Sequence, residues 1–195
     1  MNLSYVNSDL CIEIERRVKE SAASKENKFT YGHWTNHVKK VVVYAQFLAE
    51  KQHGDTEICE IAALLHDIAQ YSGNTDSNNI HHIEGAKIAG QILMELNYPE
   101  EGIERVKKCI LNHRGSVLKP AESIEEQIIK DADAMSHFDT IPSLFKVAFR
   151  VLKLTENDAG SWVRDKIERD WTKISDQSKP YISDKYEAVK LLLDS

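Results

Sequence analysis

Apolar residues along this chain recur at intervals of three and four, the period of an α-helix buried on one face. Residues 8–25 carry Leu10, Ile12, Ile14 and Val18, then meet the polar run Ser24-Lys25-Glu26-Asn27, which predicts a first helix and its end. A turn-like lead, Tyr31-Gly32-His33-Trp34-Thr35-Asn36, opens a second helix over 33–53 that stops at Gly54. His37, Val41, Ala45 and Leu48 form one stripe of that helix and put His37 near its buried face. A central helix over 56–71 follows. Its stretch Ile61-Ala62-Ala63-Leu64-Leu65-His66-Asp67-Ile68-Ala69 is apolar on nearly every side, with an imidazole and a carboxylate in the middle.

Residues 72–79 are polar and turn-rich, and a fourth helix begins near His81 with Ile83, Ala86, Ile88, Ala89, Ile92, Leu93 and Leu96. Pro99 can open a fifth, holding Ile103, Val106, Ile110 and Leu111 and finishing at Asn112-His113-Arg114-Gly115. Ser123 with Glu126 forms a capping-box pattern ahead of Ile128, Ile129, Ala132 and Met135. Another helical stretch follows Pro142, residues 156–160 break the pattern, and 162–174 and 182–193 are helical again. No period-two strand stands out. The fold class is all-α.

Composition adds limits. The 195 residues are 42% hydrophobic and 29% charged, ordinary for a globular protein with a sizeable core. The N-terminus lacks a signal pattern, and no apolar run reaches a membrane span of roughly 20 residues. Cys11, Cys59 and Cys109 are odd in number and far apart, which predicts reduced thiols and a cytoplasmic location. A net charge of −6 without a long basic run argues against a nucleic-acid polymer as partner. It leaves room for a small phosphorylated substrate if bound cations supply positive charge.

The chemistry centres on Asp67. A carboxylate inside an apolar helix must be hydrogen-bonded, charge-paired or metal-bound. The metal-capable residues on or beside apolar helical stretches are His37, His66, Asp67, His81, His82, His113, Asp131 and Asp133. Imidazoles and carboxylates without thiolates suit Mn, Fe, Zn, Ni or Mg rather than a cysteine-rich structural site. No zincin spacing, Gly-x-Ser-x-Gly elbow, P-loop or dinucleotide fingerprint is present. His33, His53 and His137 are assigned to the surface or rim.

The ordered set His37 in His-Val-Lys-Lys-Val, His66-Asp67 in Leu-Leu-His-Asp-Ile, and an aspartate in Lys-Asp-Ala-Asp-Ala-Met resembles the HD-domain superfamily of metal-dependent phosphohydrolases. His81-His82-Ile83-Glu84-Gly85-Ala86 and Ile110-Leu111-Asn112-His113 resemble the segments by which some members hold a second metal. The resemblance covers about 31–143. It implies one helical domain over 1–195, with a metal-binding core at 31–143 and a C-terminal helical extension at 144–195. It implies His37, His66, Asp67 and Asp133 as ligands of one divalent ion, with Asp67 bridging to a second held by His81 and His113. One or two ions of Mn, Fe, Co, Ni, Zn or Mg would serve. The family's His-x-x-x-Gly-Ala pattern favours His81 over His82. Asp131 and Asp133 point about 200° apart on a helix; apolar periodicity places Asp131 nearer the core, whereas the family pattern selects Asp133.

The implied activity is hydrolysis of a phosphate ester or anhydride in a nucleotide or similar metabolite, with Asp67 and His66 catalytic. Arg114 and Lys40 are candidates for holding phosphate, and Lys87 and Lys130 read better as surface charges. Ala69-Gln70 stands where many members have Gly-Lys, and Lys40 where Arg is common, so the subfamily is left open. The extra histidines resemble enzymes that split diadenosine tetraphosphate and cyclic-nucleotide HD hydrolases. The superfamily also implies two alternatives, a di-iron oxygenase and a non-catalytic nucleotide-binding regulatory module.

Overall fold

The computed structural model of the chain describes residues 8–71, 77–114 and 120–193. They hold nine helices, α1 (Asp9–Ala22), α2 (Lys39–Gln52), α3 (Thr56–Leu65), α4 (Ser77–Glu95), α5 (Glu100–Asn112), α6 (Ile124–Phe138), α7 (Ile141–Arg150), α8 (Glu156–Lys173) and α9 (Ser183–Leu193). A π-helical turn (Trp34–Val38) leads into α2, and 3₁₀ turns lie at Ile68–Tyr71 and Lys179–Tyr181. No strand occurs among the described residues. The all-α expectation holds.

Helix α3 is the centre of the core, buried at every residue from Ile58 to Leu65. It packs against α1, α2, α5 and α6, while α2 lies along α6 and α4 along α5. Helices α7 and α8 pair, and α8 and α9 also touch α6. Trp171 of α8 stacks on Tyr186 of α9, with ring centroids 4.1 Å apart. All three cysteines are buried free thiols, and burial pushes the Cys11 thiol up to about 12.

Local chemistry sets the helix ends. Ser8, Asp55, Ser123 and Thr155 each accept a backbone N–H of the first turn, as N-caps do. Half of the capping box at Ser123 is as expected, the Glu126 N–H donating to Ser123 Oγ at 3.2 Å. The Glu126 carboxylate instead accepts from the Glu122 N–H and from Asn112 of α5. At the end of α2 the left-handed residue is His53, with φ of 59°, and the Gly54 N–H closes onto the Ala49 carbonyl. Gly54 has a packing role: a Cβ there would come within 2.6 Å of Ile128 Cδ1 on α6.

Four expectations need correction. Residues 56–71 are not one helix, because α3 ends at Leu65 and the chain tightens into a 3₁₀ turn with Gln70 N–H donating to Asp67 C=O. His66 and Asp67 therefore lie at the helix end rather than its middle. Periodicity missed this because residues 58–71 are all buried, leaving no polar face to change phase. Second, α4 starts at Ser77, four residues before His81; of the turn-rich stretch 72–79, residues 72–76 fall outside the described residues, as does Gly115. Third, residues 156–160 are the capped first turn of α8, not a break. Fourth, Ile14 and Val18 of α1 are buried as expected and Leu10 packs against the core, but Ile12 is 47% exposed, and Cys11 and Ala22 complete the buried face instead.

Candidate metal centre

Five elements converge on Asp67. The π-helical turn and its leading residue bring His33 and His37, the end of α3 brings His66 and Asp67, α4 brings His81, α5 ends at His113, and α6 brings Asp133. Such π-turns are rare and frequent at functional sites. Helix α4 can approach closely because Gly85 faces the turn after α3; a Cβ on it would lie 3.4 Å from the His66 carbonyl oxygen.

The two oxygens of Asp67 face different histidines. Oδ2 lies 3.3 Å from His33 Nε2, 3.4 Å from His37 Nε2 and 3.4 Å from His66 Nε2. Oδ1 lies 3.7 Å from His81 Nε2 and 3.8 Å from His113 Nε2. Asp133 Oδ1 approaches His37 Nε2 at 3.5 Å, and its Oδ2 takes an ion pair from Lys173 at 2.5 Å. Three groups thus offer converging donor atoms, namely His33-His37-Asp67, His37-His66-Asp133 and Asp67-His81-His113.

The imidazoles are held from behind. His66 Nδ1 donates to the Ala63 carbonyl at 2.8 Å and His113 Nδ1 to the Ile110 carbonyl at 2.6 Å. Ser136 Oγ donates to the Asp133 carbonyl, so it accepts from His37 Nδ1, 3.0 Å away. Each Nδ1–H is therefore tied to an oxygen, and each Nε2 turns a lone pair inward, the arrangement that orients metal-ligating histidines. His37 Nε2 and His66 Nε2 stand 3.1 Å apart, close to the ~3.0–3.4 Å expected for two ligands about 2.1 Å from one ion. Inward lone pairs beside two carboxylates repel one another unless a cation lies among them. The donor set fits a divalent metal.

Ionisation agrees. Burial alone would raise Asp67, but the positive character of His66 and the ring nitrogens of His33, His37 and His66 that face its oxygens hold its carboxyl well below the usual range. Burial likewise opposes ionisation of Asp133, and Lys173 with His137, His37 and His113 overcomes it. Burial pushes His37 and His113 down to about 3, so both rings are in the neutral form that coordinates metal. His66, between Asp67 and Asp133, is driven up against its own burial.

The expected residues fall as follows. His37, His66, Asp67, His81, His113 and Asp133 all come together. His82 is buried outside the cluster, and its Nδ1 has no hydrogen-bond partner among the described residues. Asp131 is fully buried, as periodicity suggested, but it faces away, accepting from the Ser175 N–H at 3.0 Å and Ser175 Oγ at 2.5 Å. Arg114 lines the cavity above the cluster. Lys40 does not: it is exposed two residues past the π-helical segment and lies outside the cavity lining. Trp34 is core, and the Tyr71 hydroxyl sits 3.1 Å from His33 Nδ1.

Two histidines assigned to the rim belong to the site. His33 contacts Asp67, and His137 stacks on His37 with centroids 4.9 Å apart while its Nδ1 lies 3.1 Å from Asp170 Oδ2. Each is four residues from a selected ligand, His33 from His37 and His137 from Asp133, a spacing that puts side chains on one helix face. Lys166, Asp170 and Lys173 on α8 carried no such signal, because the contact spans from 29 to 40 residues.

The cluster floors a cavity of about 510 Å³, walled by residues of α7 and α8 and of the segment before the π-turn. The HD domain family profile matches residues 34–137, from Trp34 to His137. The chain belongs to the HD-domain family. YueE of Bacillus subtilis (strain 168), a protein named as a phosphohydrolase, is 31% identical over 111 residues, 51% of this chain and 63% of YueE. Two solved structures share the fold. An HD-superfamily hydrolase from Bacillus thuringiensis is 20% identical with a TM-score of 0.70, covering 95% of this chain and 94% of that one. Bacillus subtilis YpgQ in complex with ADP is 19% identical with a TM-score of 0.67, covering 94% of both chains. In this HD domain the cavity walls contributed by α7 and α8 lie beyond the matched residues.

Proposed function

We propose that this HD-domain protein is a metal-dependent phosphohydrolase acting on a phosphate ester or anhydride of a nucleotide or related small metabolite. The observation that carries the reading is Asp67, whose two oxygens face two histidine sets at the floor of one cavity. The name of YueE and the ADP held by YpgQ support the same chemistry.

His37, His66, Asp67 and Asp133 would hold one divalent ion, and Asp67, His81 and His113 a second, with His33 against the shared carboxylate. Such an ion supplies Lewis acidity toward a phosphoryl oxygen and toward water. The chain's own groups do the rest. Asp67, held ionised, orients the attacking water, and His66 Nδ1–H, anchored on Ala63, keeps its neighbour in place. Arg114, which lines the cavity, would bind a phosphoryl group by its forked guanidinium. Lys173 keeps Asp133 charged and fixed by its ion pair.

Metal analysis of the purified protein, followed by turnover of nucleotides, dinucleoside polyphosphates and cyclic nucleotides with Mn, Fe, Co and Mg, tests this directly. Bound divalent metal and phosphate release are expected, and Asp67→Ala removes both while the helical circular dichroism is kept. Undiminished turnover in Asp67→Ala sinks the mechanism.

A further inference from the structure

Beyond the histidine cluster, the cavity has a second polar feature. The α8 residues that line it are Trp162, Lys166, Arg169, Asp170 and Lys173, spaced by three and four and so on one helix face. Lys173 marks the inner end, because its ammonium pairs with Asp133 in the cluster. At 1.5 Å per residue, Arg169 lies about 6 Å from Lys173 along the helix and Trp162 about 16 Å; Asp170 and Lys166 between them still reach His137, and the face leaves the cluster beyond Lys166. Only five residues separate α7 from α8, so the two run antiparallel, and Arg150 and Lys153 at the end of α7 sit toward the outer, Trp162 end.

The cations on this wall fall into two groups. Lys173 is paired with Asp133, and Lys166 donates to both oxygens of Asp170 at 2.7 Å. Arg150, Lys153 and Arg169 line the same cavity with no ion-pair or hydrogen-bond partner among the described residues. In a chain of net charge −6, three such cations on one cavity wall are a local reversal of sign. Lys153 also has a φ of 58°, in the left-handed region that favours glycine. As at His53, this conformation closes a helix end, with the Leu152 N–H on the Val147 carbonyl and the Leu154 N–H on the Ala148 carbonyl.

We infer that Arg150, Lys153 and Arg169 form an anion subsite, outward of the metal-binding residues, for a second negatively charged group on the substrate. The preferred substrates then carry at least two phosphoryl groups, such as a phosphoanhydride chain, rather than an isolated monoester. One phosphoryl group reaches the histidine cluster and the other rests against the α7–α8 cations. The substrate preference rests on the hydrolase reading above; anion binding itself does not depend on turnover.

Calorimetric binding of inorganic tripolyphosphate and of orthophosphate to the metal-stripped full chain separates the two. The wild type is expected to favour tripolyphosphate by at least about tenfold, in a manner weakened by salt. In Arg150→Ala/Arg169→Ala that preference collapses. Lys153→Gly supplies an independent variant, since glycine adopts the left-handed backbone freely: its thermal midpoint stays level or rises while tripolyphosphate binding weakens. A preference unchanged in both variants, or absent from the wild type, overturns the subsite. Binding through these residues by a protein that hydrolyses no phosphorylated compound overturns the hydrolase reading and leaves the subsite standing.

Discussion

Glu60 and Asp67 lie seven residues apart, one within α3 and the other just past its end, and both are buried, at 1% and 7% exposure. Their surroundings drive them in opposite directions. Burial raises Glu60, with Glu15 and Glu57 adding to the effect and Gln46 and Cys11 giving partial relief. Burial acts on Asp67 too, yet the histidines around it reverse the outcome. A buried carboxylate is therefore not a site by virtue of burial. What makes Asp67 one is the set of ring nitrogens turned toward it, each braced from behind.

Helix α6 repeats the contrast at closer range. Asp131 and Asp133 point to opposite sides; one clamps Ser175 after α8 and the other joins the histidines. Exchanging each for asparagine gives the largest separation of roles. Asp133→Asn removes a charged donor and the partner of Lys173, and turnover is expected to fall by at least about 100-fold with loss of bound metal. Asp131→Asn is expected to keep turnover within about twofold and to lower unfolding free energy by about 1–3 kcal/mol, because Ser175 and Gln127 lose a charged acceptor. Steady-state kinetics beside urea unfolding reads both. An Asp131→Asn protein that is stable and inactive reverses the assignment.

How much of this was legible follows from the same residues. His37, His66, Asp67, His81, His113 and Asp133 could be selected because each sits in a local pattern matching a family order, and helical periodicity could place them on or at the ends of helices. The all-α fold followed from the period of the apolar residues. His33 and His137 were within reach, one turn from chosen ligands, but polar flanks made them look like rim. The end of α3 was hidden because burial on all sides erases phase. The α8 residues Lys166, Asp170 and Lys173 were beyond reach: helical spacing shows that they share a face, and nothing local says that α6 lies opposite.

Metal binding sharpens the comparison next. A ligand that binds only the folded state at about 100 times its Kd adds about 2.7 kcal/mol, or roughly 5–11 °C in Tm for a chain of this size. Adding a divalent metal to the chelator-treated protein is expected to raise Tm by that order in the wild type and in Glu60→Gln, and by nothing measurable in Asp67→Asn. Scanning calorimetry with and without metal checks it. A metal-dependent rise that survives Asp67→Asn places the ion elsewhere in the molecule.

The smallest effect concerns Glu60 alone. Its folded pKa is raised, so between the unfolded and folded values the native state holds a proton that the unfolded chain has released. Stability is then greatest below the ordinary glutamate pKa of about 4.3, and it falls as pH rises through the window up to the folded value. Above that value the loss is complete. Glu60→Gln has no proton to hold, so its stability relative to the wild type is expected to climb across that window and then level off, with metal content and turnover unchanged within about twofold. Urea midpoints of both proteins at a series of pH values from 4 upward give the difference curve. A flat curve means that Glu60 is as well solvated or paired as an exposed carboxylate, and a fall in turnover would draw it into the site it has served to contrast.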